Sequence, residues 1–189
     1  MSAETLVNRE LSTIAFNERV LALSTNEDMP LLERLRYLAI VSSNLDEFFE
    51  VRVAGVKQRM ALGLSMRRTD EMTPRQLLSA IRTQTGKLVH QQYDLLNHHI
   101  LPSLRQENVF LWRRSEWTDK QSAWIQEHFT KQVSPVLTPL GLDPAHPLPN
   151  VENKSLNFIL SLKGKDAFGR ESAMAILPVP RCLPRIISV

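Results

Sequence analysis

Asp46 and Glu47 are adjacent carboxylates, the side chains that general acid–base chemistry uses, and they stand in the stretch Ser42-Ser43-Asn44-Leu45-Asp46-Glu47-Phe48-Phe49. Local helix chemistry offers a plainer account of the same residues. Asn44 is a good N-cap, because its side-chain oxygen accepts a bond from a free N–H at a helix start. Glu47, three residues on, is placed to reach back to that cap. Leu45, Phe48, Phe49 and Val56 follow at helical spacing, so the stretch is expected to open a capped, buried helix. Adjacent carboxylates there are favourable charge at the positive end of the helix dipole.

The other reactive residues are more scattered. His98 and His99 are sequence neighbours and do not share a helix face, so they are expected at a solvated helix end and not around a metal. His146 lies in a proline-rich loop, and His90 and His128 have no ligand set nearby. Arg67-Arg68 and Arg113-Arg114 are basic pairs expected on solvated surface. Trp112, Trp117 and Trp124 fall close together. Stacking platforms for single strands need exposed aromatics in a basic groove, and packing into a core is the expectation for these three. The single cysteine, Cys182, cannot make an internal disulfide or a structural zinc site.

These residues must be positioned by regular elements. Leu11, Ile14, Ala15, Val20 and Leu21 form an apolar stripe from about Glu10 to Ser24. Asn26-Glu27-Asp28-Met29-Pro30 interrupts it, since the residue before proline avoids the helical region. Pro30 is placed to open a second helix carrying Leu31, Leu32, Leu35, Leu38 and Ala39. A third helix is expected from near Asn44 to about Leu62, before Gly63. Thr73-Pro74-Arg75-Gln76 combines a cap, a first-turn proline and a capping box. The helix it starts carries a seam of Leu78, Ile81, Thr85, Leu88, Gln92 and Leu95 and is expected to end near His99, before Pro102. Four such helices can bury their stripes against one another.

After about Arg105 the character changes. Asn108 to Trp112 is short, apolar and compatible with a strand. Thr118-Asp119-Lys120-Gln121 is a second capping box, leading a helix to about Gln132. Prolines then cluster at 135, 139, 144, 147 and 149. Ser155 to Leu162 alternates with period two, Lys163 to Arg170 reads as a turn, and Ser172 to Pro178 as a second strand pairing with the first. Leu183-Pro184-Arg185-Ile186-Ile187-Ser188-Val189 reads as an apolar, strand-like ending. The expected fold class is α+β: an all-α helical bundle over residues 1–105, then an incomplete α/β head domain over 106–189. On this reading the chain is the front of a longer protein.

The 189 residues carry 43% hydrophobic and 23% charged side chains, which excludes a wholly disordered chain. A net charge of +3 is too weak a field for a dedicated nucleic-acid binder, and none is expected as a partner. The polar N-terminus is unlike a signal peptide, and the apolar runs are too short to span a bilayer. The expected location is the cytoplasm, either free or peripheral to the inner membrane.

So arranged, the chain resembles the N-terminal part of the family-one bacterial polyphosphate kinases. The resemblance rests on Glu10-Leu11-Ser12, Phe16-Asn17-Glu18-Arg19-Val20-Leu21, Pro30-Leu31-Leu32-Glu33-Arg34-Leu35, Leu38-Ala39-Ile40, and Ser42 to Phe49 with Val51-Arg52-Val53-Ala54-Gly55. It continues through Leu137-Thr138-Pro139-Leu140, Asp143-Pro144-Ala145-His146-Pro147, Asn153-Lys154-Ser155-Leu156-Asn157, Leu177-Pro178-Val179-Pro180 and Leu183-Pro184-Arg185. These pieces run in collinear order over essentially the whole chain. One departure stands out: Thr13-Ile14 replaces the Trp-Leu that usually follows Glu-Leu-Ser, which is expected to alter the packing of the first helix.

The resemblance implies reversible transfer of the terminal phosphate of ATP to inorganic polyphosphate through a phosphorylated histidine. It places that histidine, and the Mg2+-binding residues, beyond Val189, so no catalytic residue and no metal ligand is expected here. It also implies a homo-oligomeric parent, with ATP/ADP and polyphosphate as its small-molecule partners. One family site falls within the chain: the asparagine of Ser-Asn-Leu-Asp-Glu-Phe contacts ATP and maps onto Asn44. An amide, with two donors and an acceptor, suits that task. The helical domain would then act as a lid over the base. The competing reading is a stand-alone, non-catalytic helical interaction module.

Overall fold

The computed structural model describes residues 8–63, 72–142, 149–164 and 174–188. Arg67-Arg68, His146, the Asp143–Pro147 motif and the end of the Lys163–Arg170 turn lie outside them. The chain divides into two compact units, residues 1–111 and 112–189.

The first unit is helical. Helix α1 (Arg9–Leu23) is capped by Asn8, whose side-chain oxygen accepts from the N–H of Glu10 at 3.0 Å and of Leu11 at 3.1 Å. Helix α2 (Leu31–Glu47) starts directly after Pro30. It does not stop where the sequence suggested a new beginning. It passes into a π-helical segment, Phe48–Val53, and then into α3 (Ala54–Ala61) without leaving helical backbone angles. Asn44 is therefore an interior residue of α2 and caps nothing. Asp46 and Glu47 lie in its last turn, so they do not sit at the positive end of a helix dipole. The reason is burial register: Leu38, Val41, Leu45 and Phe48 form one buried stripe straight through the expected break. The π turn then widens the spacing so that Val53 and Val56 stay on the core side, while Phe49 is exposed. Gly63 ends α3 with φ of 65°, a left-handed angle at which a side chain is strained.

Helix α4 (Pro74–Leu95) begins with the expected capping box, Thr73 and Gln76 bonding each other's backbone N–H. Thr73→Ala is expected to lower the stability of the helical unit by about 1 kcal/mol, read as a fall in the urea midpoint. Its buried seam is Leu77, Ile81, Thr85, Leu88, Gln92 and Leu95, with Leu77 rather than Leu78 at the first position. The helical path does not end at His99. A second π segment, Leu96–Ile100, leads through Pro102 into α5 (Leu101–Gln106). An interior proline removes one N–H and crowds the preceding turn. Here that turn is wide, with the Leu101 N–H donating to the carbonyl of Leu96, five residues back. The path closes at Asn108, whose φ of 61° accompanies bonds from Asn108 N–H to Arg105 O and from Val109 N–H to Leu104 O. That pattern is a Schellman cap.

One core cluster holds this unit together, drawing Ile14 and Leu21 from α1, Leu38, Val41 and Leu45 from α2, and Leu77, Ile81 and Leu88 from α4. Each such side chain contributes about 1.5–3 kcal/mol on full burial. Polar ties cross the same core. Gln92 Nε2 donates to Leu38 O at 2.8 Å and to Ser42 Oγ at 2.7 Å, and Arg34 Nε donates to Ser24 O at 2.9 Å.

Asn108 to Trp112, which runs from the end of the first unit into the second, forms no strand, and the second unit continues with a short 3-10 turn at Arg114–Glu116. Helix α6 (Asp119–His128) has the expected Thr118/Gln121 capping box and runs on as a π segment, Phe129–Val133. A three-stranded antiparallel sheet has the order β1-β3-β2, with β1 at Leu140–Leu142, β2 at Asn157–Ser161 and β3 at Met174–Pro178. The expected β2–β3 pairing is present, with Asn157 opposite Pro178 and Ser161 opposite Met174. Strand β1 has no counterpart in the sequence pattern, because three residues after Pro139 are too few to show an alternation. Ala175, the second residue of the central strand, is the buried residue of the described sheet. The segment after β3 is turn and bend through Ser188, so the apolar ending is not a strand among the described residues.

Candidate functional site

Two of the motif stretches, far apart in sequence, meet on one face of the helical unit. Thr13, Phe16 and Asn17 come from α1, Asn44 and Glu47 from the last turns of α2, and Phe48, Val51 and Arg52 from the π segment. Together they line an open cleft of about 270 Å3. Phe48, Val51 and Arg52, at i, i+3 and i+4 within the π segment, form one wall. Such widened turns recur at functional sites.

The polar floor of the cleft is a short relay. Asn17 is only 1% exposed. Its Nδ2 donates to the Thr13 carbonyl at 2.9 Å, and its Oδ1 accepts from Asn44 Nδ2 at 2.8 Å. Asn44, half-buried, is thus held by a partner 27 residues earlier. Around it the walls are aromatic and charged. Phe16 is 49% exposed, with the Arg19 guanidinium 5.8 Å from its ring centroid. Phe48 is buried and meets Phe49 edge-on, centroids 5.6 Å apart. Glu47 supplies an acceptor and Arg52 a cation.

Asn44 is therefore at a cleft, but for a different reason than capping. Asn17 stands in the Phe16–Leu21 stretch that carries the resemblance, but the sequence assigns it no role; its one chemical signal is an amide inside an otherwise apolar stripe. Asp46 is exposed and does not line the cleft, so it forms no acid–base pair there with Glu47. Thr13, where the resembling family has tryptophan, falls on the cleft wall, while Ile14 beside it is fully buried.

The remaining candidates stay apart from this site. His98 Nδ1 lies 2.8 Å from Asp94 Oδ1 on the exposed side of the α4 path. His128 stacks on Trp124, with the rings 5.1 Å apart. Trp112 and Trp124 are 44% and 40% exposed, against the expectation of core packing. Arg113 uses its backbone N–H on Glu116 Oε2 at 2.8 Å. Among the described residues no three His, Cys, Asp or Glu side chains come together to hold a metal ion. No helix among them is long and apolar enough to cross a membrane.

A helical unit with a polar cleft, followed by a smaller helix-and-sheet unit, defines an α+β protein whose candidate site is carried by helices. Two family models account for nearly all of it: the polyphosphate kinase N-terminal domain over residues 6–112 and the polyphosphate kinase middle domain over residues 120–189. The chain belongs to the polyphosphate kinase family. It is 49% identical over 179 residues to a polyphosphate kinase of Neisseria meningitidis serogroup B, covering 95% of this chain and 26% of that protein. Against the polyphosphate kinase of Burkholderia multivorans it is 46% identical over 184 residues, covering 97% and 27%. The crystal structure of polyphosphate kinase from Porphyromonas gingivalis superposes with a TM-score of 0.74 at 28% identity, over 96% of this chain and 26% of that one. The chain thus spans about a quarter of the length of the curated relatives it matches.

Proposed function

We propose that this chain supplies the nucleotide-contacting helical part of a polyphosphate kinase, with Asn44 touching ATP. The parent reaction would be reversible transfer of the terminal phosphate of ATP to polyphosphate. The phosphohistidine that carries the phosphate, and the Mg2+ that accompanies the nucleotide, would be held by residues beyond this chain. In this reading the protein is cytoplasmic, acts as a homo-oligomer and takes no nucleic acid.

The observation that carries the reading is the cleft itself. The motif asparagine is held by Asn17 at the floor of an opening walled by Phe16 and Phe48 and flanked by Arg52. A base can lie against the rings and present its edge to the amide. The triphosphate then has Arg52 as the nearby cation. Catalysis of phosphoryl transfer is mostly positioning and charge neutralisation, and a helical lid would contribute positioning.

Asn44→Ala is expected to weaken binding of a labelled ATP analogue roughly 3- to 10-fold, the range of one or two net hydrogen bonds. Titration calorimetry checks it. An unchanged dissociation constant would remove Asn44 from the site.

A further inference from the structure

We propose that Asn17 is a positioning residue that fixes which way round the Asn44 amide faces, and so sets the cleft to prefer a purine with a 6-amino group over one with a 6-oxo group. The inference rests on the reading that Asn44 contacts the nucleotide.

The polarity is imposed from the backbone outward. The Thr13 carbonyl can only accept, so Asn17 must present its nitrogen there, as it does at 2.9 Å. That places Asn17 Oδ1, again acceptor-only, toward Asn44. Asn44 must therefore turn Nδ2 inward, at 2.8 Å. A flipped Asn44 would set two carbonyl oxygens against each other beside a side chain that water barely reaches. A surface asparagine rotates freely to suit either partner; this one has lost that freedom.

With Nδ2 committed inward, Asn44 retains its Oδ1 and one N–H, neither with a partner among the described residues. An acceptor beside a donor is the complement of the adenine edge, where the 6-amino group donates and a ring nitrogen accepts. A 6-oxo purine puts an oxygen where the amino group would be, facing Asn44 Oδ1. The relay leaves Asn44 unable to flip and accommodate it.

The test is an NMR titration of the 13C,15N-labelled chain with ATP and with inosine triphosphate, which differs at position 6. ATP is expected to bind about 10-fold more tightly, and a through-hydrogen-bond coupling from the Asn44 side-chain nitrogen to Asn17 Cγ should be present in the free chain. Asn17→Leu should bring the ATP-to-inosine triphosphate ratio close to one while ATP still shifts the Asn44 signals. Equal affinities in the unaltered chain, a missing coupling, or an unchanged ratio in Asn17→Leu would overturn the positioning role and leave the nucleotide reading standing. Should that variant fail to fold, the ratio and the coupling in the unaltered chain decide. No Asn44 shift at millimolar ATP would instead withdraw the nucleotide reading, and this inference with it.

Discussion

Leu88→Ala is expected to lower the unfolding free energy of the helical unit by about 3 kcal/mol, within the usual 2–5 kcal/mol for truncating a buried leucine. Leu88 is fully buried at the middle of the α4 seam, within the cluster that also contains Ile14 and Val41. Removing its isobutyl group forfeits the transfer free energy and leaves a cavity that three helices, each pinned by its own stripe, cannot close. A urea titration followed by circular dichroism should show a lower midpoint with little change in slope. Leu32→Ala is the control: the same chemistry at a 65% exposed site of α2 should move stability by no more than about 0.5 kcal/mol. Equal effects at the two sites would contradict the packing assigned to α4.

Gln92→Ala should cost about 2–3 kcal/mol, combining a small cavity with two lost hydrogen bonds. Gln92 is 4% exposed and joins α4 to α2 through the Leu38 carbonyl and the Ser42 hydroxyl, just ahead of Asn44. Gln92→Leu separates the two contributions. It keeps most of the volume, the Leu38 carbonyl keeps its place in the α2 helix, and exposed Ser42 can turn to water. That variant is therefore expected to lose less than half as much. Similar large losses in both would assign the effect to the hydrogen bonds, whereas no loss in either would refute the clamp between α4 and α2. Because Ser42 is two residues from Asn44, ATP binding is a second readout: the alanine variant should also bind more weakly.

Local signals were legible in the sequence wherever the determining residues are neighbours. The Thr73/Gln76 and Thr118/Gln121 boxes are closed over three residues, and both helices start where those residues stand. The β2–β3 pairing followed from alternation and a turn, including Gly164 at φ of 111°. Asn44 shows the limit of the same method. Its cap signal is local and chemically sound, but a cap forms only if the preceding helix stops. What keeps it going is the register of Leu38, Val41, Leu45 and Phe48 against α1 and α4. The exposed Trp112 and Trp124 mark a second limit, since composition says what an aromatic prefers and not what is nearby to cover it.

By itself, the sequence determined the helical front, the later change to a helix with a sheet, and the family, because these depend on residue order and short spacings. The asparagine of the Ser-Asn-Leu-Asp-Glu-Phe motif could be named from it as well. Only the tertiary structure decided what that asparagine is attached to. The Thr13–Asn17–Asn44 relay crosses from one helix to another over 27 residues. Hydrogen-bond direction is settled by partners in space. A carbonyl on α1 therefore orients an amide on α2, an arrangement that exists only once the helices have packed.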